Sequence, residues 1–162
     1  MMIYETLGTI ECRQATINDY IEMYDLVSKY VVEDNMHENE KKSELRALDK
    51  SLRFAIRQGD AIVNVDNGKV VAVYTGVQNK IMSLCNEGGV HSAAMLLKVA
   101  LCDLQNKYKE AEFQVNNGKI RQQYEAIRTR KGSACTISER GKGTISTKAK
   151  EEIAELFYVL KG

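Results

Sequence analysis

Apolar residues along the chain recur at two spacings, and the switches between them lay out the elements. A short strand is expected near Gly8–Gln14. Thr16 and Asp19 then fit a helix start, in which the threonine oxygen takes an orphan backbone N–H and the acid sits in the first turn. Ile17, Tyr20, Ile21, Tyr24, Val27 and Val31 follow at three- and four-residue intervals, the signature of one helical face. The polar stretch Glu33–Ser43 reads as an exposed loop. A second helix is predicted over Ser43–Gln58, with Leu45, Leu48, Leu52, Ala55 and Ile56 on one side and Gly59 as its stop. Two β-branched runs, Ala61–Val65 and Lys69–Val77, flank Asp66-Asn67-Gly68, which predicts a hairpin.

Lys80–Cys85 is a shorter strand candidate that runs into Asn86-Glu87-Gly88-Gly89. A helix is expected over Ser92–Lys107, with Ala94, Leu97, Leu101 and Leu104 on one face. Glu112–Asn116 reads as a strand, Lys119–Ile127 as a short helix and Ser133–Ser138 as a further strand. Arg140-Gly141-Lys142-Gly143 reads as a flexible basic turn. It leads to a C-terminal helix over Thr147–Leu160, capped by Ser146 or Thr147 and carrying Ile153, Leu156, Phe157 and Leu160. The resulting order, β α α β β β α β α β α, is that of an α/β chain with a mixed α+β sheet and helices on both faces. It does not alternate from the start as a Rossmann chain does. No repeat, low-complexity tract or linker divides it, so one domain over 1–162 is expected.

Composition narrows the class. The 162 residues are 44% apolar and 28% charged with a formal net charge of +1, enough apolar content for a sizeable core and too much for a disordered chain. No stretch approaches the roughly 18 apolar residues of a membrane helix, and the N-terminus lacks a signal-peptide pattern, so no membrane association and a cytoplasmic location are expected. Cys12, Cys85, Cys102 and Cys135 form no C-x-x-C pair and read as free buried thiols. His37 and His91 are too far apart in sequence to suggest a metal site with them. Tyr20, Tyr24 and Tyr30 read as core packing. Charge is divided unevenly: residues 1–66 hold eight Lys/Arg against thirteen Asp/Glu, and residues 117–150 hold nine against two. That basic segment suits a solvated surface, a nucleotide-bearing cofactor or nucleic acid.

The segment Asn117-Gly-Lys-Ile-Arg-Gln-Gln-Tyr124 follows a predicted strand, with the tyrosine seven positions after the asparagine. Together with the element order over residues 10–130, it resembles the GCN5-related N-acetyltransferase (GNAT) superfamily. The resemblance implies a GNAT-like acyl-CoA N-acyltransferase fold, with acetyl-CoA as cosubstrate and a small-molecule or protein amine as acceptor. It also implies that Tyr124 protonates the departing thiolate, a role that suits a phenol of pKa near 10. A half-buried packing tyrosine is the alternative. Asn117 and Arg121 fall in the same segment and are assigned to the cofactor, with Arg128 as a further phosphate partner.

The family's pyrophosphate loop corresponds here to Glu87-Gly88-Gly89-Val90-His91-Ser92. The resemblance implies that backbone amides from Gly88 to Ser92 hold the pyrophosphate at a helix N-terminus, with Ser92 able to cap the helix. The loop lacks the family's arginine- or glutamine-led, spaced-glycine pattern and holds no Lys or Arg. Main-chain N–H near Leu84 or Cys85 would hold the thioester carbonyl. Glu87 is the first candidate for general base, Glu112 the second. Arg140–Gly143 looks superficially like a displaced phosphate loop, and Cys85 like a nucleophile with no histidine in obvious reach except His91. An acidic rim from the first two helices favours a cationic acceptor. The rival reading is a non-catalytic GNAT-fold binding protein whose basic 117–150 segment meets nucleic acid or an acidic partner. A C-terminal helix in place of the family's last strand leaves a homodimer open.

Overall fold

The computed structural model describes residues 2–32, 34–78, 80–107, 110–114, 135–137 and 142–146. The chain opens with a hairpin, β1 (Ile3–Leu7) and β2 (Ile10–Gln14), turned at Gly8 with φ +59°. Only the second half of this pair was expected. β1 is the edge of the sheet, and four of its five residues are exposed, so burial imposes no readable alternation on it.

Thr16 and Asp19 form the capping box the sequence predicts. The Asp19 carboxylate accepts the Thr16 N–H at 2.7 Å and both terminal nitrogens of Arg13 at 2.7 and 2.8 Å. A single 3₁₀ turn, Ile17–Asp19, leads into α1 (Tyr20–Val31). The buried face of α1 is Met23, Leu26 and Val27, with Tyr20, Tyr24, Tyr30 and Val31 packed beside them. Ile17 and Ile21 are 58% and 72% exposed, a correction to the expected face. The series 20, 23, 24, 27, 30, 31 is also three-four spaced, and the sheet beneath α1 selects it.

α2 spans Glu38–Gln58 and starts five residues before the predicted Ser43. Its first turn is wholly polar and gives no hydrophobic signal, while Glu38 and Glu40 suit the positive end of the helix. Leu48, Leu52 and Ala55 are buried, and the helix stops at Gly59 with φ +76° as predicted. The Tyr20 hydroxyl donates to Asp49, Arg53 Nε donates to Asp49 at 2.8 Å, and the Arg53 guanidinium lies 4.2 Å from the Tyr20 ring centroid, joining α1 to α2.

β3 (Ala61–Asp66) and β4 (Lys69–Val77) form the predicted hairpin. Asn67 and Gly68 both take positive φ, +51° and +80°, as a type I′ turn requires. β5 (Lys80–Asn86) pairs antiparallel with β4, and α3 (Gly89–Lys107) follows. Side chains alternate across the sheet. Ala61, Val63, Val73 and Cys85 join the core under α1 and α2, whereas Asn64 points to α3. α3 buries Ser92, Ala93, Met95, Leu96, Val99 and Ala100. The side chains of Ala94, Leu97, Leu101 and Leu104 lie outside those described.

β6 (Glu110–Gln114), β7 (Cys135–Ile137) and β8 (Lys142–Ser146) complete an eight-stranded sheet of order β1-β2-β3-β4-β5-β6-β8-β7. β8 corrects the expected basic turn. Lys142 and Gly143 are strand residues opposite Gln114 and Phe113, and Gly143 also opposes Ile137. Ser146 is the last residue of this strand, and the helix it was expected to cap lies outside the described residues. Lys-Gly-Thr-Ile-Ser has little hydrophobic patterning, and its strand form comes from pairing on both edges. The predicted helices at 119–127 and 147–160 fall outside the described residues.

Candidate functional site

β5 is laddered antiparallel to β4 from Lys80 to Asn86, and among the described residues its rung with the parallel neighbour β6 is Lys80–Glu112. Met82 to Asn86 continue β5 past that rung towards α3. Leu84 and Cys85, expected to present main-chain N–H groups, lie on this stretch and are buried. Burial pushes the Cys85 thiol up to about 12, so it is a neutral thiol and not a nucleophile at physiological pH. Cys12 is pushed up to about 12 by the same cause, with Glu5 adding to it. Both are free buried thiols.

Glu87 closes β5 and is exposed. Its carboxylate lies 3.3 Å from Lys29 Nζ at the end of α1. The Tyr30 hydroxyl is raised above its ordinary pKa by burial and, to a lesser degree, by Cys85 and Glu87. The Glu87 N–H donates to the Val71 carbonyl at 2.7 Å. This contact ties the loop to the bulge of β4, where Val71 has no partner in β3.

The loop glycines have different duties. A Cβ on Gly88 would lie 2.7 Å from Val71 Cγ2 and 2.8 Å from Ser92 Oγ, so no side chain fits there. Gly89 has φ +88° and faces open space. α3 begins at Gly89, three residues before the predicted Ser92. Ser92 is therefore not a cap. Its hydroxyl is buried and donates to Asn86 Oδ1 at 2.7 Å.

Asn86 Oδ1 also accepts the Gly88 N–H at 3.1 Å, and Asn86 Nδ2 donates to the Gly89 carbonyl at 3.0 Å. Asn64 Nδ2 donates to the Ser92 carbonyl at 2.8 Å and to Ser92 Oγ at 2.9 Å. The first turn of a helix leaves its leading amides without intrahelical acceptors. With Gly88 held by Asn86, the open donors of the expected cradle are the amides of Gly89, Val90 and His91. The His91 side chain is exposed.

Sequence reasoning passed over Asn64 and Asn86. The signal was an asparagine inside the apolar run Ala61-Ile-Val-Asn-Val, where a polar residue needs an internal partner. Tyr124, Asn117, Arg121 and Arg128 lie outside the described residues. A shallow groove of about 390 Å³ between α1 and α2 is lined by Tyr20, Tyr24, Lys42, Leu45, Arg46 and Asp49. None of its lining residues belongs to β5 or the loop. Among the described residues there is no group of three or more His, Cys, Asp or Glu placed to hold a metal ion, and no helix is long and apolar enough to cross a membrane.

Among the described residues, a five-stranded antiparallel meander, a parallel neighbour β6, and β8 inserted between β6 and β7 form a specific combination. It recurs in solved structures. The chain has the fold of the GCN5-related N-acetyltransferases.

The PaiA N-acetyltransferase of Thermoplasma acidophilum, solved with coenzyme A, matches with a TM-score of 0.57 at 14% identity, over 86% of this chain and 99% of that one. An N-acetyltransferase of Staphylococcus aureus Mu50 matches with a TM-score of 0.57 at 13% identity over the same shares. Naa50 of Arabidopsis thaliana, in complex with the bisubstrate analogue CoA-Ac-MVNAL, gives 0.54 at 14%, again over 86% and 99%. No family model matches the sequence, and no characterised protein matches it by sequence. The likeness to this GNAT group is one of fold.

Proposed function

We propose that this chain is an acyl-CoA-dependent N-acyltransferase that moves an acetyl group from acetyl-CoA to an amine by direct attack. The observation that carries the reading is the end of β5. There Leu84 and Cys85 run within a few residues into a helix N-terminus with open amides at Gly89, Val90 and His91. A strand edge suits the thioester and pantetheine amides, and a helix N-terminus suits the pyrophosphate.

In this mechanism a main-chain N–H near Leu84 or Cys85 polarises the thioester carbonyl. The amine attacks that carbon, the C–S bond breaks, and the ammonium proton passes to Glu87 directly or through water. Tyr124 gives its proton to the departing thiolate. Asn117 and Arg121 assist in cofactor binding. Glu87 needs release from Lys29, or exchange of that partner for the acceptor, before it can take a proton. Asp34, Glu38, Glu40 and Glu44 are exposed around the start of α2, and Lys29 brings the end of α1 against the loop. A cationic acceptor such as a polyamine or a lysine side chain suits that rim.

The test is thiol release from acetyl-CoA across a panel of amines. Tyr124→Phe is expected to lower kcat by about 10²-fold, the lower end for a lost general acid. Equal activity of the variant removes Tyr124 from the mechanism.

A second reading, a non-catalytic binding protein of this fold, is favoured by one observation. The loop has no Lys or Arg from 81 to 97, and its Gly88 amide is already engaged by Asn86. In that reading the basic 117–150 segment contacts nucleic acid or an acidic partner, and nucleic-acid binding would weaken steeply with salt.

A further inference from the structure

We propose that Asn86 and Asn64 are positioning residues that, through Ser92, fix the attitude of the first turn of α3 and so aim its open amides at a diphosphate ester. This rests on the acyl-CoA reading and adds to it the device that makes a cation-free loop competent.

Five hydrogen bonds hold the device together. Asn86 Oδ1 takes both the Gly88 N–H and the Ser92 hydroxyl, at 3.1 and 2.7 Å, and Asn86 Nδ2 closes on the Gly89 carbonyl at 3.0 Å. From the opposite strand, Asn64 Nδ2 reaches the Ser92 carbonyl and hydroxyl oxygen at 2.8 and 2.9 Å. The last strand residue of β5, the first turn of α3 and the middle of β3 are thereby joined through one hydroxyl.

The three side chains are only 0–1% exposed, so none of them touches a ligand in solvent. Burying them is costly where apolar residues would pack, and the Asn64 carbonyl oxygen remains without a partner. Packing alone does not call for such a set; holding a backbone segment in one orientation does. Gly88 completes the device, because its Cβ position is occupied by Val71 and Ser92.

The consequence for binding follows from what is left over. The Glu87 and Gly88 amides are engaged by Val71 and Asn86, so what the loop itself offers a phosphate is the amides of Gly89, Val90 and His91, with no Lys or Arg in the loop. Three amides on one turn bind a diphosphate only if they already converge, and preorganisation then replaces charge as the source of affinity.

The experiment is an NMR titration of the wild-type chain and of Ser92→Ala, Asn86→Ala and Asn64→Ala with CoA and, separately, with pantetheine, which carries no phosphate. Amide exchange is followed at Gly88 and at the core residues Val63 and Val73. In Ser92→Ala and Asn86→Ala the CoA Kd is expected to rise about tenfold and the pantetheine Kd to stay within twofold. Gly88 exchange should accelerate while Val63 and Val73 stay protected. Asn64→Ala leaves the Asn86–Ser92 bond intact and should give a smaller CoA loss, which keeps the test decisive if a harsher variant does not fold. Unchanged CoA affinity in folded variants, or equal loss for both ligands, overturns the positioning role. A wild-type chain with a protected Gly88 amide and no CoA binding overturns the acyl-CoA reading instead, and the ligand role of the device with it.

Discussion

Lys80 of β5 and Glu112 of β6 are register partners in the parallel pair of these strands. Past this pair β5 continues for six residues to Asn86, laddered on its other side to β4, and α3 starts at Gly89. The end of the strand and the helix N-terminus are thereby brought together at the loop of Glu87 and Gly88.

Gly88 is the tightest point in the loop. Gly88→Ala would press a methyl against Val71 and Ser92, whose nearest atoms stand 2.7–2.9 Å from the Cβ position. Overpacking of this kind costs about 1–3 kcal/mol, and chemical denaturation should show a loss in that range. Gly89→Ala meets open space, and its cost comes from the +88° φ, on the order of 1 kcal/mol. A Gly88→Ala protein as stable as wild type contradicts the packing described.

Arg13 and Asp19 make the best-formed buried ion pair among the described residues, bidentate and capped by Thr16. Burial alone would raise the Asp19 carboxyl, but the Arg13 and Thr16 hydrogen bonds outweigh it and hold its pKa below the ordinary carboxylate value. A carboxyl lowered on folding stabilises the protein above its unfolded pKa of about 3.9, and that contribution fades as pH falls through the folded pKa. Wild-type stability should therefore fall below about pH 4. Asp19→Asn should cost about 3 kcal/mol at pH 7 and flatten the acid limb. Parallel urea curves at pH 7 and pH 3 report both effects.

The thiols of Cys12 and Cys85, pushed up to about 12, should resist alkylation at pH 8 until the protein is unfolded. Peptide mapping after iodoacetamide treatment reads this site by site. Rapid native labelling of Cys85 would reopen a nucleophilic role that its burial argues against.

The two faces of α1 offer a contrast. Met23 is fully buried and Ile21 is 72% exposed. Met23→Ala should cost about 2–5 kcal/mol, and Ile21→Lys should stay within about 0.5 kcal/mol. Thermal melts of the two variants suffice.

The pattern of residues carried the elements that local chemistry enforces. Asn67-Gly68 dictates its turn, Gly59 its helix stop, and Thr16 with Asp19 its helix start. What the pattern did not carry was set by neighbours far along the chain. β1 is an exposed edge, and β8 owes its strand form to pairing on both sides with β6 and β7. The face of α1 was selected by the sheet from two similar candidates. In the loop, the glycines and the helix after them were legible, but the order of duties was not. Ser92 turned inward because Asn86 and Asn64 meet it there, and only a folded β3 places Asn64 under α3.

The central claim is that the end of β5 and the start of α3 hold acetyl-CoA. Isothermal titration calorimetry of the wild-type chain and of Gly89→Asp tests it directly. The claim predicts micromolar binding of acetyl-CoA to wild type and its loss in the variant, where a side chain at a positive φ and a negative charge enter the amide cradle. No heat of binding to wild type from acetyl-CoA, longer acyl-CoAs or free CoA, or equal binding to both proteins, would contradict it.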